Sequence, residues 1–201
     1  MTRDLTIVCF DIETKWQRDA FGLYSWSPSE AWDHPVVRRA EITGATTLVV
    51  TGATSRWQSF PPSNVVELLS IIGAADVVVT YHGSGWDIPV IGQHAADPDL
   101  VRRLKSMCVN PFFGHDDLCY IAAQQRGGAP VARHTLATWN YGDRYLRTID
   151  GDMETYKHEL IGQGWAWNDA YQAAKAYRDS RTTYAMWRRW KSGRLQVHEP
   201  T

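Results

Sequence analysis

The sequence predicts an α/β fold, a mixed central β-sheet flanked by helices. Short apolar runs of strand length recur at residues 5–10, 41–51, 55–60 and 77–80. Segments with helical spacing and capping residues lie between and after them, the longest near the C-terminal end. At 201 residues and 44% hydrophobic composition the chain can bury one substantial core, so a single domain over 1–201 is expected. Alternation of this kind is the pattern of a sheet covered by helices.

Residues 5–10 are the first strand, buried on both faces to judge by the near-continuous apolar run. The run ends in Asp11-Ile12-Glu13-Thr14. Side chains two apart on extended backbone share a face, so Asp11 and Glu13 project together. Neighbouring carboxylates repel unless a positive charge lies between them, and such oxygen ligands suit Mg²⁺ or Mn²⁺. Taken alone, the pair is explained better by a strand that ends in polar residues.

Residues 15–37 carry Trp16, Phe21, Tyr24, Trp26, Pro28, Trp32 and Pro35 without a clean period. They predict a long ordered loop beside the acidic pair. Residues 41–51 and 55–60 read as strands joined by a turn at Gly52. Pro61 and Pro62 stop the second, and Ser63 is the expected cap of a helix over 64–73, with Glu67 near its first turn. The strand 77–80 runs into Tyr81-His82-Gly83-Ser84-Gly85-Trp86-Asp87. Its glycines suit a tight or left-handed turn, and Asp87 suits the cap of the following helix, with room also to face a metal.

Residues 98–107 predict a helix bearing Arg102, Arg103 and Lys105. Gly114-His115-Asp116-Asp117 then precedes an amphipathic segment over 118–125. Gly127 and Gly128 break it, and a further helix begins at Thr135 to Trp139. Residues 141–167, rich in glycine and aromatics, read as irregular. Asn168 is the expected N-cap of the last long helix, 169–191, where Lys175 and Asp179 share a face.

The formal net charge is −1, so any nucleic-acid contact must rest on a local basic surface. From Tyr171 onward seven basic residues accompany two acidic ones, a run that a solvated helix face explains about as well. No apolar run approaches the roughly 18–20 residues of a membrane span, and the N-terminus has no signal-peptide pattern. Cys9, Cys108 and Cys119 match no zinc spacing and read as reduced thiols in a cytoplasmic protein. Arginine heavily outnumbers lysine, which points to a GC-rich bacterial or phage genome.

Three segments now stand in order: Phe10-Asp11-Ile12-Glu13-Thr14, the run from Tyr81 to Val90, and the run from Ala176 to Trp187. Together they resemble the three motifs of the DEDD superfamily of 3′→5′ exonucleases, which includes the proofreading domains of family B-type DNA polymerases. The resemblance covers nearly the whole chain and implies an RNase H-like fold. It also implies that Asp11, Glu13, Asp87 and Asp179 hold two divalent ions, Mg²⁺ or Mn²⁺, for phosphodiester hydrolysis. In that reading Asp11 bridges, Glu13 and Asp179 complete one site, and Asp87 supports the second. Thr14, His82 and Trp86 become the expected substrate contacts, Trp86 by stacking on a base.

The chain departs from the pattern in two places. The second motif usually has Asn where this chain has His82. The third positions its water with a Tyr four residues, or a His five residues, before the last Asp, and here those positions hold Lys175 and Ala174. Tyr177 lies roughly 200° around the helix from Asp179 and is a poor substitute. Lys175 is therefore expected to be catalytic, by binding the attacking water or neutralising the scissile phosphate. As a base it would need a lowered pKa.

The implied activity releases nucleotides from the 3′ end of single-stranded DNA, alone or proofreading in trans for a DNA polymerase. One alternative is an RNA-trimming exoribonuclease with the same site. Another is an impaired nucleic-acid-binding module on the same fold. Four clustered acids repel phosphate, which favours the enzyme.

Overall fold

The computed structural model describes residues 4–15, 28–110, 114–125 and 143–193. Trp16, Phe21, Tyr24, Trp26, the break at Gly127 and Gly128, the helix expected at Thr135 to Trp139, and Arg194 lie outside the described residues.

Strand β1 (Thr6–Thr14) is the middle of a five-stranded mixed sheet. On one side it pairs antiparallel with β2 (Ile42–Thr51), which pairs antiparallel with β3 (Thr54–Phe60). On the other it runs parallel to β4 (Val77–Thr80), which runs parallel to β5 (His115–Asp117). The order across the sheet is β3-β2-β1-β4-β5.

Both faces of the sheet are covered. Val8, Phe10 and Ile12 of β1 point into one core, with Leu68, Ile72, Ile88, Ile91 and Leu104 from the helices on that side. Those helices are α3 (Val66–Ala74), α4 (Asp87–Gly92) and α5 (Pro98–Val109). Cys9 points to the opposite face, where Met186 and Trp187 of α8 (Trp167–Lys191) and Leu118 and Ile121 of α6 (Leu118–Gln125) close a second core. By the same alternation Asp11 and Glu13 lie on the α8 face. The last helix thus covers the side of β1 that carries the acids.

Several expectations are corrected. The first strand does not stop at Phe10: it continues to Thr14, because β2 supplies partners as far as Gly44 and, past an irregularity at Glu13/Thr14, Ile42. The region 15–37 is not wholly a loop, since two short helices occupy its second half and the residues beyond it. These are α1 (Pro28–Asp33) and α2 (Pro35–Arg38), and Trp32, Val36 and Val37 are buried from them. His34 caps α2 by accepting from the Val36 N–H.

Ser63 does not cap α3; it lies in a 3-10 turn, Pro62–Asn64, and α3 follows with no side-chain cap. Asn168 likewise falls inside α8, which begins one residue earlier. Residues 141–167 are largely helical: α7 (Asp143–Gly162) spans 20 residues. It is held by tertiary packing, with Tyr156, Leu160 and Ile161 set against Ala170 and Ala173 of α8. Gly164 ends it at φ +93, with its N–H on the Ile161 carbonyl and the Trp165 N–H on that of Leu160. That is the paired bonding of a glycine-stopped helix. Among the described residues, no helix is long and apolar enough to cross a membrane.

Candidate metal centre

Asp11 and Glu13 leave β1 on one face, and α8 crosses that face. Cys9 Sγ donates to the Ser180 carbonyl at 3.2 Å. Thr46 on β2 donates to the Ala173 carbonyl at 2.7 Å, and Ser180 Oγ donates back to the Thr46 carbonyl at 3.1 Å. These bonds seat the middle of α8 over β1 and β2. Asp179 follows: one carboxylate oxygen each from Asp11, Glu13 and Asp179 lie within 4.8 Å of one another.

Asp87 stands outside that group of three but close beside it. It is not the cap of α4. Trp86 holds that position, and Asp87 is the first helical residue. Its Oδ1 accepts from the Ile12 N–H at 3.1 Å. The parallel ladder between β1 and β4 ends at Cys9 and Val79, so the Ile12 amide finds its acceptor on Asp87 rather than on a β4 carbonyl.

Two cations already answer the acids. Lys175 Nζ donates to Glu13 Oε2 at 2.7 Å. Arg178 grips Asp179 with two nitrogens, at 2.8 and 3.3 Å. The charge balance remains unfavourable. Burial, then the charges of Asp87, Asp179 and Glu13, push the Asp11 carboxyl well above the usual carboxylate range. Burial also raises Glu13, with Lys175 opposing it. Asp87 is pushed up to about 7 by burial, with the Ile12 N–H pulling the other way. Crowded, partly buried carboxylates of this kind are relieved by a cation, and an all-oxygen donor set suits a hard divalent ion. The residues fit such an ion.

A comparison with family models, curated proteins and solved structures finds no match for this chain.

The remaining sequence candidates divide. Thr14 ends β1 opposite Ile42, just beyond the register irregularity. His82 adopts φ 63, the left-handed region, and its ring stacks on Tyr120 at 6.4 Å and 14°. Trp86 is half-buried and packs against the core beside α4, which leaves it less of a free stacking face than the sequence suggests. Tyr177 is taken up by packing: it stacks on Tyr156 at 4.2 Å and meets Trp57 edge-on at 4.6 Å.

Sequence reasoning overlooked Arg178 and Asp117. Neighbouring residues on a helix do not ordinarily face each other, so nothing in the spacing marks Arg178 as the partner of Asp179. The signal for Asp117 was the His-Asp-Asp triplet, three polar residues that form a completely or nearly buried strand.

Proposed function

We propose that this chain is a metal-dependent 3′→5′ exonuclease of RNase H-like fold that shortens single-stranded DNA. The observation that carries the reading is the convergence of Asp11 and Glu13 from the central strand with Asp179 from the last helix, three oxygens within 4.8 Å. Asp87 stands at the rim of the same cluster, where its charge acts on Asp11. A pair of divalent ions held there by Asp11, Glu13 and Asp179 would make an attacking water more acidic and stabilise charge on the leaving oxygen.

The chain's own residues do the rest. Asp11, Glu13 and Asp179 hold the charge in place on two rigid elements, so positioning needs little rearrangement. Lys175, one helical turn before Asp179, is within reach of a phosphate oxygen or an attacking water once it lets go of Glu13. Its side chain is 31% exposed, so a strand end can approach it. The preference for DNA over RNA rests on the sequence resemblance alone.

A second reading, an impaired nucleic-acid-binding module, has its own support. Lys175 on Glu13 and Arg178 on Asp179 give two of the three clustered acids a partner without any metal.

The deciding experiment offers a 5′-labelled single-stranded DNA and its RNA equivalent with Mg²⁺, Mn²⁺ or EDTA, and Asp11→Ala as control. A metal-dependent ladder from the 3′ end, lost in the control, is the expected result, and the faster substrate identifies the class. Binding without turnover in either metal would replace the enzyme by the binding module.

A further inference from the structure

The carboxylate of Asp117 is completely buried at the end of β5, and three backbone amides converge on it. Oδ1 accepts from His82 N at 2.8 Å and Cys119 N at 3.1 Å, and Oδ2 accepts from Ser84 N at 2.9 Å. One side chain therefore ties the start of α6 to the turn that leads into Asp87.

That turn needs holding. His82 carries a side chain in left-handed backbone, which residues with a Cβ adopt at a cost. A Cβ at Gly83 would overlap the Thr80 side chain, and one at Gly85 would come within 2.8 Å of the His82 ring. The turn then delivers α4 directly. Gly85 N donates to the His82 carbonyl at 3.1 Å and Ile88 N to that of Gly83 at 2.9 Å. Asp87 lies between them and accepts from Ile12 on β1.

Asp117 itself has a firm base. His115, two residues earlier, bonds through Nδ1 to the Met107 carbonyl at 3.1 Å and through Nε2 to Thr80 Oγ1 at 2.8 Å. A carbonyl only accepts, so Nδ1 carries the proton and Thr80 donates to Nε2. Burial holds that imidazole neutral, with its pKa lowered. β5 is thus locked to β4 and α5 by a neutral histidine.

We propose that Asp117 is a positioning residue for Asp87: by gathering the His82 and Ser84 amides, it fixes the turn that sets Asp87 against Ile12 at the edge of the acidic cluster. The link to turnover rests on the exonuclease reading; the geometric part does not. Asp117 touches none of the three clustered oxygens, so its influence on the reaction travels through the turn it holds, which carries His82 and leads into Asp87.

Asp116 gives a matched control. It is the preceding residue of the same short strand and is also buried, but its carboxylate takes Trp187 Nε1 at 2.7 Å and Lys191 Nζ at 3.0 Å, away from the turn. Asp117→Asn and Asp116→Asn are compared with the parent by amide hydrogen exchange in metal-free protein, and by kcat and KM. In Asp117→Asn the amides of His82, Ser84 and, distinctively, Ile12 should exchange at least about tenfold faster, while Cys9 and Leu48 keep their protection. Asp87→Ala should free the Ile12 amide in the same way. With an active parent, Asp117→Asn should lower kcat by about tenfold or more and leave KM within about twofold.

An unchanged Ile12 amide overturns the proposal. So does a uniform rise in exchange that Asp116→Asn reproduces, or a freed Ile12 amide with kcat unaltered. Should the parent show no turnover, the exonuclease reading fails alone, and the Ile12 amide still decides whether Asp117 places Asp87.

Discussion

Lys175 on the last helix donates to Glu13 on the central strand across 2.7 Å, joining residues 162 positions apart. The ammonium occupies the same carboxylate that a divalent ion would use, so it is at once a counter-ion for the metal-free cluster and a competitor of the metal.

Lys175→Met keeps the aliphatic stem and removes the charge. In metal-free protein it should cost about 2 kcal/mol, the scale of a lost hydrogen bond to a charged group. Mn²⁺ should return that stability, and its affinity, read by calorimetry, should rise because Glu13 is released. If Lys175 also acts on water or phosphate, turnover should fall by about tenfold or more although the metal is bound more tightly. Tighter metal with unchanged turnover would reduce Lys175 to a counter-ion and end its catalytic role.

The raised carboxyl groups dictate a pH dependence. Asp87 lies near 7 in the folded protein, against 3.8 when unperturbed, and Asp11 is raised as well. Between those values the folded state binds protons more tightly than the unfolded chain, so stability falls as pH rises through this window and the full penalty is present above it. His82 and His115 have lowered pKa values and push the other way below neutrality, but they do so equally in parent and variant. Asp11→Asn should therefore melt progressively higher than the parent as pH goes from about 5 to 8, by ~3–8 °C at the top. Saturating Mn²⁺ should flatten the pH dependence of the parent and raise its Tm above that of the variant. Parallel melting curves for the two metal-free proteins would rule out a strained carboxylate cluster.

Much of this arrangement was legible in the chain, and the parts that were not share a cause. β1 announced itself because both its faces are covered, and the acids two apart declared their common face. β4 matched its apolar run to the residue, Val77–Thr80. β5 was invisible because His115, Asp116 and Asp117 are buried by virtue of their hydrogen bonds, which no hydrophobic period encodes. α7 was hidden by its glycines, although Gly164 carried a readable stop signal two residues past its end. Asp11, Glu13 and Asp179 bring one oxygen each within 4.8 Å of one another, whereas Asp87 turned from a helix cap into a partner for a strand amide. The ion pairs of Lys175 and Arg178 depend on how α8 lies across the sheet, and local spacing does not contain that angle.

The three cysteines should be chemically silent in the folded protein. Cys9, Cys108 and Cys119 are all buried and unbridged. Burial raises each thiol, and the charges of Asp11 and Asp87 add to the effect at Cys9. Cys119 is pushed up to about 12. The thiolate is the reactive form, and at pH 8 such a group is thiolate about once in ten thousand. Ellman's reagent should find essentially no thiol in native protein and all three in denaturant. A thiol that reacts within minutes in the native state would show that its part of the core opens.

Gly44 tests how finely the cluster depends on the seat of α8. It pairs with Glu13 across β1 and β2. A Cβ built on it would lie 3.1 Å from Ala173 N and 3.2 Å from Gln172 Cβ, so the helix rests on bare backbone here. Thr46, two residues along, ties down the same turn of α8 through the Ala173 carbonyl. Gly44→Val suits strand backbone and so leaves the sheet intact, but its two methyl groups have no room beneath the helix. α8 must lift or tilt, and Lys175 and Asp179, on the turns that follow, move with it. Overpacking of this kind typically costs about 1–3 kcal/mol. The larger effect should fall on the cluster: three oxygens spread further apart hold an ion poorly, and Mn²⁺ affinity should drop by about tenfold or more. Gly44→Ala, with one carbon to accommodate, should fall between parent and Gly44→Val in both measurements. Unaltered Mn²⁺ affinity in a folded Gly44→Val protein would mean that Asp179 is not placed by the contact between α8 and β2.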